Sequence, residues 1–196
     1  MGRGTKTTEF LKLCLSEALV QLMEEKPFDS ITIDEIAAEA GVGRATYFRN
    51  FKSKDELLSF KMDMLLKKWY TKNSKNTSAA DGLKFLLEFY YSNKDFFLPI
   101  YKDEKGAEIM SSLDKKFFPQ IYNEENNYQE MFYIGGINGV FEKWFKCGFK
   151  ETPEEMIMIF NSLQSDLQNI IDNTFLSANI NPETGKLSIC LKENRK

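Results

Sequence analysis

The chain has 196 residues, 42% hydrophobic and 28% charged, with five Pro and eleven Gly, which fits one or two globular domains and excludes a collagen-like or disordered chain. Its formal net charge of -3 argues against a uniformly basic nucleic-acid coat, and no apolar run approaches the roughly 18 residues of a membrane helix, so no membrane partner is expected. The absence of histidine excludes Ser-His-Asp, Cys-His and HExxH chemistry, and Cys14, Cys147 and Cys190 have no CxxC spacing. No metal, cofactor or disulfide framework is therefore expected, and without a signal-like stretch behind Met1 the chain reads as cytoplasmic.

Helical periodicity dominates from the start. Phe10, Leu11, Cys14, Leu15, Ala18, Leu19 and Leu22 recur at helical spacing from about Thr8 to Glu25, and Lys26-Pro27 ends that helix. Thr32 with Glu35 reads as a capping box opening a short helix through Ala40, which Gly41-Val42-Gly43 terminates. A second short helix occupies Arg44 to Asn50. Ser53 with Glu56 reads as another capping box, starting a helix toward Lys72. The polar run from Thr71 to Ser78 marks a domain boundary, giving an N-terminal domain over 1–72 and a larger helical domain over 73–180.

Beyond it, helices are expected near Ala80 to Tyr91 and Ala107 to Phe118, separated by a broken region around Pro99 and Lys102 to Gly106. Two long helices close the fold, one from about Asn127 to Cys147, the other from the Thr152-Pro153-Glu154-Glu155 capping signal to about Ser177. The tail over 181–196 reads either as a turn plus a short strand through Leu187 to Leu191 or as disordered. The fold class is all-α.

Charge is uneven. Residues 1–72 carry 12 Lys and Arg against 11 Asp and Glu, leaving 14 against 18 for the rest, and Gly41 to Lys54 holds Arg44, Arg49, Lys52 and Lys54 with no acid at all. Arg occurs only at positions 3, 44, 49 and 195, so two of four fall where a fork-shaped donor is useful. Two short helices around a glycine turn, the second one basic, form the pattern of a helix-turn-helix. Arg44 and Thr46 suit base edges, whereas Arg49, Asn50, Lys52 and Lys54 suit phosphates. A solvated helix face is the competing reading of the charge alone.

The string from Ile31 to Ala37, continuing through Gly41-Val42-Gly43-Arg44-Ala45-Thr46-Tyr47-Phe48-Arg49-Asn50-Phe51-Lys52-Ser53-Lys54-Asp55-Glu56-Leu57-Leu58, closely resembles the TetR family of bacterial transcriptional regulators. The match spans about residues 8 to 60. The resemblance implies a homodimer whose recognition helices enter successive major grooves of double-stranded DNA at a palindromic operator. It places Arg44, Ala45 and Thr46 where bases are usually met, and Thr32, Arg49, Asn50 and Lys54 where the backbone is often met. The chain departs from the family at Phe48, where Tyr is usual, so that Phe48 is expected to meet sugar or a thymine methyl. Gly43 replaces the usual side-chain cap.

Aromatic residues are dense in the second domain, and most are expected to be core. The resemblance implies a small-molecule site among them, with Phe85, Phe89, Phe96, Met110, Phe117 and Met131 as candidate lining and an apolar or aromatic effector as the ligand. Gly135, Gly136 and Gly139 in mid-helix each cost roughly 1 kcal/mol against Ala, which points to a close helix approach. Met156, Phe160, Leu163, Leu167 and Ile170, spaced 4, 3, 4, 3, form a coiled-coil-like seam. With Gly135 and Gly139 they are the expected dimer interface; internal packing is the competing reading. The function so read is a DNA-binding regulator, a ligand-released repressor, although an activator would have the same sequence features. The alternatives are a carrier or enzyme with a structural N-terminal bundle, or an interaction adaptor that no longer binds DNA.

Overall fold

The structure, a computed structural model, describes residues 3–73, 82–118, 128–172, 176–180 and 187–191. Among the described residues the chain is helical apart from one terminal hairpin. Its helices are α1 (Arg3–Glu25), α2 (Ile33–Glu39), α3 (Arg44–Asn50), α4 (Lys54–Asn73), α5 (Gly82–Ser92), α6 (Lys94–Tyr101), α7 (Glu104–Phe117), α8 (Tyr128–Lys146) and α9 (Pro153–Asp172). The chain forms two compact units, Met1–Lys150 and Glu151–Lys196. The boundary expected at about residue 72 falls at the end of α4, inside the first of these units, and 74–81 lie outside the described residues.

In the first unit, α1 buries Leu15, Ala18 and Leu19 in a core shared with Ile36 and Ala37 of α2, Tyr47 of α3, and Leu57, Leu58 and Met62 of α4. The Thr32 capping box forms as expected: Glu35 N–H donates to Thr32 Oγ1 at 3.3 Å, and Thr32 N–H donates to Glu35 Oε2 at 2.8 Å. The Lys26 ammonium beside Glu35, aided by the Thr32 hydrogen bonds, holds that carboxyl down at about 2. Gly41 takes φ of +65°, the left-handed backbone the corner requires, while its N–H donates to Ala38 O at 3.0 Å.

The region around Pro99, expected to be broken, is instead the continuous helix α6. Proline removes one helical hydrogen bond, but Phe96, Phe97 and Ile100 are all buried around it, and their packing holds the turn. The break falls at Asp103, which caps α7 by accepting from Gly106 N–H at 2.7 Å. The other Asp103 oxygen accepts from Phe28 N–H at 3.2 Å, tying this corner to the 3-10 turn Phe28–Ser30 that precedes α2. A Cβ on Gly106 would stand 2.5 Å from Ile100 O and 3.0 Å from Met23 Cε, so only glycine fits where the corner meets α1.

In the second unit, Thr152 and Glu155 form the expected box, with bonds of 2.8 and 3.2 Å. The helix stops at Asp172 rather than near Ser177, because Leu176–Ile180 is strand β1, antiparallel to β2 (Leu187–Leu191) in the register Leu176↔Leu191 to Ile180↔Leu187. Leu187, Ile189 and Leu191 alternate with polar or small residues, as do Leu176, Ala178 and Ile180, and that period of two suits a hairpin better than a helix end. The strand reading of the tail therefore holds for Leu187 to Leu191; 181–186 and 192–196 lie outside the described residues.

Candidate functional site

The outer face of α3 is short and open. Tyr47 is buried and anchors the helix to the core, leaving Arg44, Ala45, Phe48 and Arg49 exposed on the other side. Arg44 Nη1 lies 3.0 Å from Asp34 Oδ2, and its guanidinium stands 5.3 Å over the Phe48 ring. Both members of that ion pair are mostly exposed, so the pair is weak and its fork is easily surrendered to another acceptor. Lys52 is exposed just beyond the helix, and Thr32 is exposed at the start of α2. Asn50 Nδ2 donates to Thr46 O at 2.7 Å, so these two half-buried residues close the helix end together.

Lys54 stands apart from this set. Its ammonium turns inward, donating to Ile31 O at 2.8 Å and to Phe28 O, and sits 4.4 Å over the Phe28 ring. Burial pulls its pKa below the usual lysine value despite Asp29, Asp55 and Asp103 nearby. The phosphate role expected of Lys54 thus gives way to a clamp on the turn before α2.

A second site lies deeper in the first unit, a partly open cavity of about 1040 Å³. Its walls come from the end of α4 (Tyr70), from α5 (Leu83, Phe85, Leu86, Tyr90), Tyr101 of α6, α7 (Ala107, Glu108, Ser111, Asp114, Lys115), Phe118, and α8 (Ile134, Ile137, Asn138, Phe141, Glu142, Phe145). Tyr90 Oη donates to Asp114 Oδ1 at 2.7 Å, and Tyr101 Oη to Oδ2 at 3.4 Å. Burial raises Asp114 to about 6 even though both hydroxyls favour its charged form. At the mouth of α4, Tyr70 stacks on Phe85 at 5.1 Å, and Trp69 meets Phe85 and Phe89 edge-on at 5.9 and 6.0 Å.

Two family models match this chain, one described as bacterial regulatory proteins, tetR family, over residues 15–59, the other as a transcriptional regulator C-terminal region over 77–166. A relative from Lactococcus lactis subsp. lactis (strain IL1403), the HTH-type dhaKLM operon transcriptional activator DhaS, is 22% identical over 169 residues, covering 81% of this chain and 85% of its own. The chain belongs to the tetR family of bacterial regulatory proteins. It is a transcriptional regulator with a DNA-binding helix-turn-helix domain.

In this TetR-family regulator the cavity has a different lining from the six residues expected. Of those, only Phe85 faces it. Phe89, Phe96 and Met110 are core, Phe117 edges a smaller surface hollow beside Phe51 and Phe60, and Met131 is exposed on α8. Aromatic density identified the half of the chain but not which rings face inward. Asp114 had a usable signal: Met110, Leu113, Asp114 and Phe117 are spaced 3, 4 and 7 along one face of α7, so a carboxylate interrupts an apolar stripe.

The expected interface residues divide. Among the described residues no atom lies within 4 Å of the position a Cβ would take at Gly135, Gly136 or Gly139, and Met131, Phe132 and Tyr133 beside them are about half exposed. On α9, Met156 is buried, which removes it from an outward seam, Phe160 is half-buried, and Leu163 is exposed with Met158 and Ile159. The side chains of Leu167 and Ile170 lie outside the described residues.

Proposed function

We propose that the protein binds a palindromic operator as a homodimer and that a small molecule in the α4–α8 cavity changes its affinity for that operator. The observation that carries this reading is the open face of α3, where Arg44, Ala45, Phe48 and Arg49 are exposed while Tyr47 fixes the helix from behind. Arg44 suits bidentate contact with guanine, Phe48 suits apolar contact with a thymine methyl or sugar, and Arg49, Lys52 and Thr32 suit phosphates. Selection of bound fragments from random duplexes tests it. In the enriched sequence Arg44→Ala is expected to lose about 1–3 kcal/mol of discrimination at one base pair, whereas Lys52→Ala weakens all sequences alike and lowers the salt slope by about one. Unchanged binding by both variants would reassign the interface.

The dimer reading is supported by the glycines of α8, whose Cβ positions no atom of the described residues approaches within 4 Å, and by the exposed apolar residues around them and on α9. Gly139→Leu leaves the fold intact, because the added side chain enters open space, but converts a dimer to a monomer in sedimentation. An unchanged assembly would move the interface elsewhere.

Coupling is supported at three places. Helix α4 runs from the Lys54 clamp to Tyr70 at the cavity, and the corner between α6 and α7 touches α1 at Met23 and the 3-10 turn at Phe28. Lys116 adds a third contact, donating to Ser59 of α4 at 2.9 Å. A ligand that prefers the DNA-incompetent arrangement releases the operator, and DNA weakens that ligand by the same factor. Repression relieved by ligand is the first reading. That the relative DhaS is a transcriptional activator favours a second, in which the occupied protein promotes transcription. Transcription from a template carrying the selected operator, with and without protein, separates them.

A further inference from the structure

We propose that the cavity takes an organic monocation, an amine or ammonium on an apolar or aromatic body, held by the Asp114 carboxylate among the rings of Tyr90, Tyr101, Phe141 and Phe145. This deepens the effector reading above and rests on it. Among the described residues three carboxylates line the cavity, Glu108, Asp114 and Glu142, against a single ammonium, Lys115. The two outer acids already have partners, Glu108 with Lys105 at 2.9 Å and Glu142 with Lys146 at 2.5 Å. Asp114 differs. Among the described residues its side chain meets two neutral hydroxyls, and burial outweighs them in setting its pKa.

An ionised carboxylate offers about four acceptor sites, and two tyrosines use two of them, the Tyr101 bond being long at 3.4 Å. The same oxygens therefore keep acceptor capacity for an N–H donor of a ligand. The surrounding rings fit the rest of the cation: Tyr101 and Phe145 lie 4.3 Å apart, Tyr90 and Phe145 4.9 Å, and Tyr90 and Phe141 5.6 Å. Their electron-rich faces attract positive charge where water is scarce. An anion would meet repulsion from Asp114, and a neutral ligand would leave its charge uncompensated. The competing explanation is that Asp114 is only a staple joining α5, α6 and α7 through tyrosine hydroxyls. Asparagine accepts a hydrogen bond in the same place without the charge, and that separates the two.

The test uses the full chain and three probes sharing one body: 2-(1-naphthyl)ethylamine, 2-(1-naphthyl)ethanol and 3-(1-naphthyl)propanoate, titrated calorimetrically near neutral pH. The amine is expected to bind at least about tenfold more tightly than the alcohol, with the propanoate weakest. Asp114→Asn, checked for folding by its melting curve, brings amine and alcohol within about twofold, and Asp114→Glu restores part of the preference. Equal binding of alcohol and amine by the parent, survival of the amine preference in Asp114→Asn, or no amine binding below about 1 mM overturns the proposal. Operator affinity measured with the amine present separates the two levels: tight amine binding with unchanged operator affinity keeps the cation site and removes the effector reading.

Discussion

Tyr47→Phe is expected to stabilise the protein. The Tyr47 residue is 1% exposed, and its hydroxyl has no hydrogen-bond partner among the described residues. Folding strips that hydroxyl of water without replacing the lost bond, at a cost of about 1–3 kcal/mol. Deleting the oxygen leaves a gap smaller than a methyl group, which returns up to about 1 kcal/mol of that gain. The ring itself keeps its edge contact with Phe48 at 5.3 Å and its approach to Phe51 at 6.3 Å. The net expectation is about 0.5–2 kcal/mol, or a melting temperature higher by about 2–6 °C. Burial, reinforced by Glu56 and Asp55, also raises the Tyr47 pKa, so the folded state holds its proton more tightly than the unfolded one. That contribution is complete below about pH 10 and is lost as pH rises beyond it, so the parent should weaken at alkaline pH more steeply than Tyr47→Phe. Urea titrations at neutral and alkaline pH read both effects. A destabilised variant, or parallel losses above pH 10, would mean that the hydroxyl has a partner, and the reasoning would fail.

Three further outcomes are expected. Gly106→Ala forces a Cβ against the Ile100 carbonyl, so it should cost about 2–3 kcal/mol in urea denaturation, more than an ordinary Gly→Ala change in a helix, which is stabilising. Lys54→Ala strips two carbonyls of a charged donor and should cost about 1–3 kcal/mol of stability, discounted for partial exposure; a purely surface phosphate contact would leave the melting temperature unchanged. The Asp114 pKa is raised, so its proton stabilises the folded state below the unfolded value and that contribution is lost as pH rises through about 6. Asp114→Asn should therefore be more stable than the parent near neutral pH by about 1–2 kcal/mol and show a flatter stability profile between pH 4 and 6.

What the sequence made legible was local. The capping boxes at Thr32 and Thr152 each need only a hydroxyl and a glutamate three residues on, and both form. The corner at Gly41 needs only a residue free to take positive φ. The continuous helix through Pro99 was not legible, because what holds it is the burial of Phe96, Phe97 and Ile100, a tertiary fact. Lys54 misled for a related reason. A lysine beside a recognition helix has the composition of a phosphate contact, but the carbonyls that capture it belong to residues 23 and 26 positions earlier. The lining of the cavity needed the packing of five helices to be known. Phe85 alone of the expected residues lines it, and the interruption of an apolar stripe by Asp114 was a further mark in the sequence.

The Asp103 carboxylate bears on how such regulators can be recombined. One oxygen starts α7 while the other receives the amide of Phe28, and the same corner seats Gly106 on Met23. A chimera joined near residue 73, grafting a foreign C-terminal part onto this helix-turn-helix, would sever both matches: Phe28 would lose its acceptor, and a bulkier residue at 106 would collide with α1. Residues 23, 28, 103 and 106 therefore travel as a set. Exchanging DNA specificity while keeping the rest of the fold is better done by grafting the outer face of α3 alone than by swapping the whole N-terminal segment.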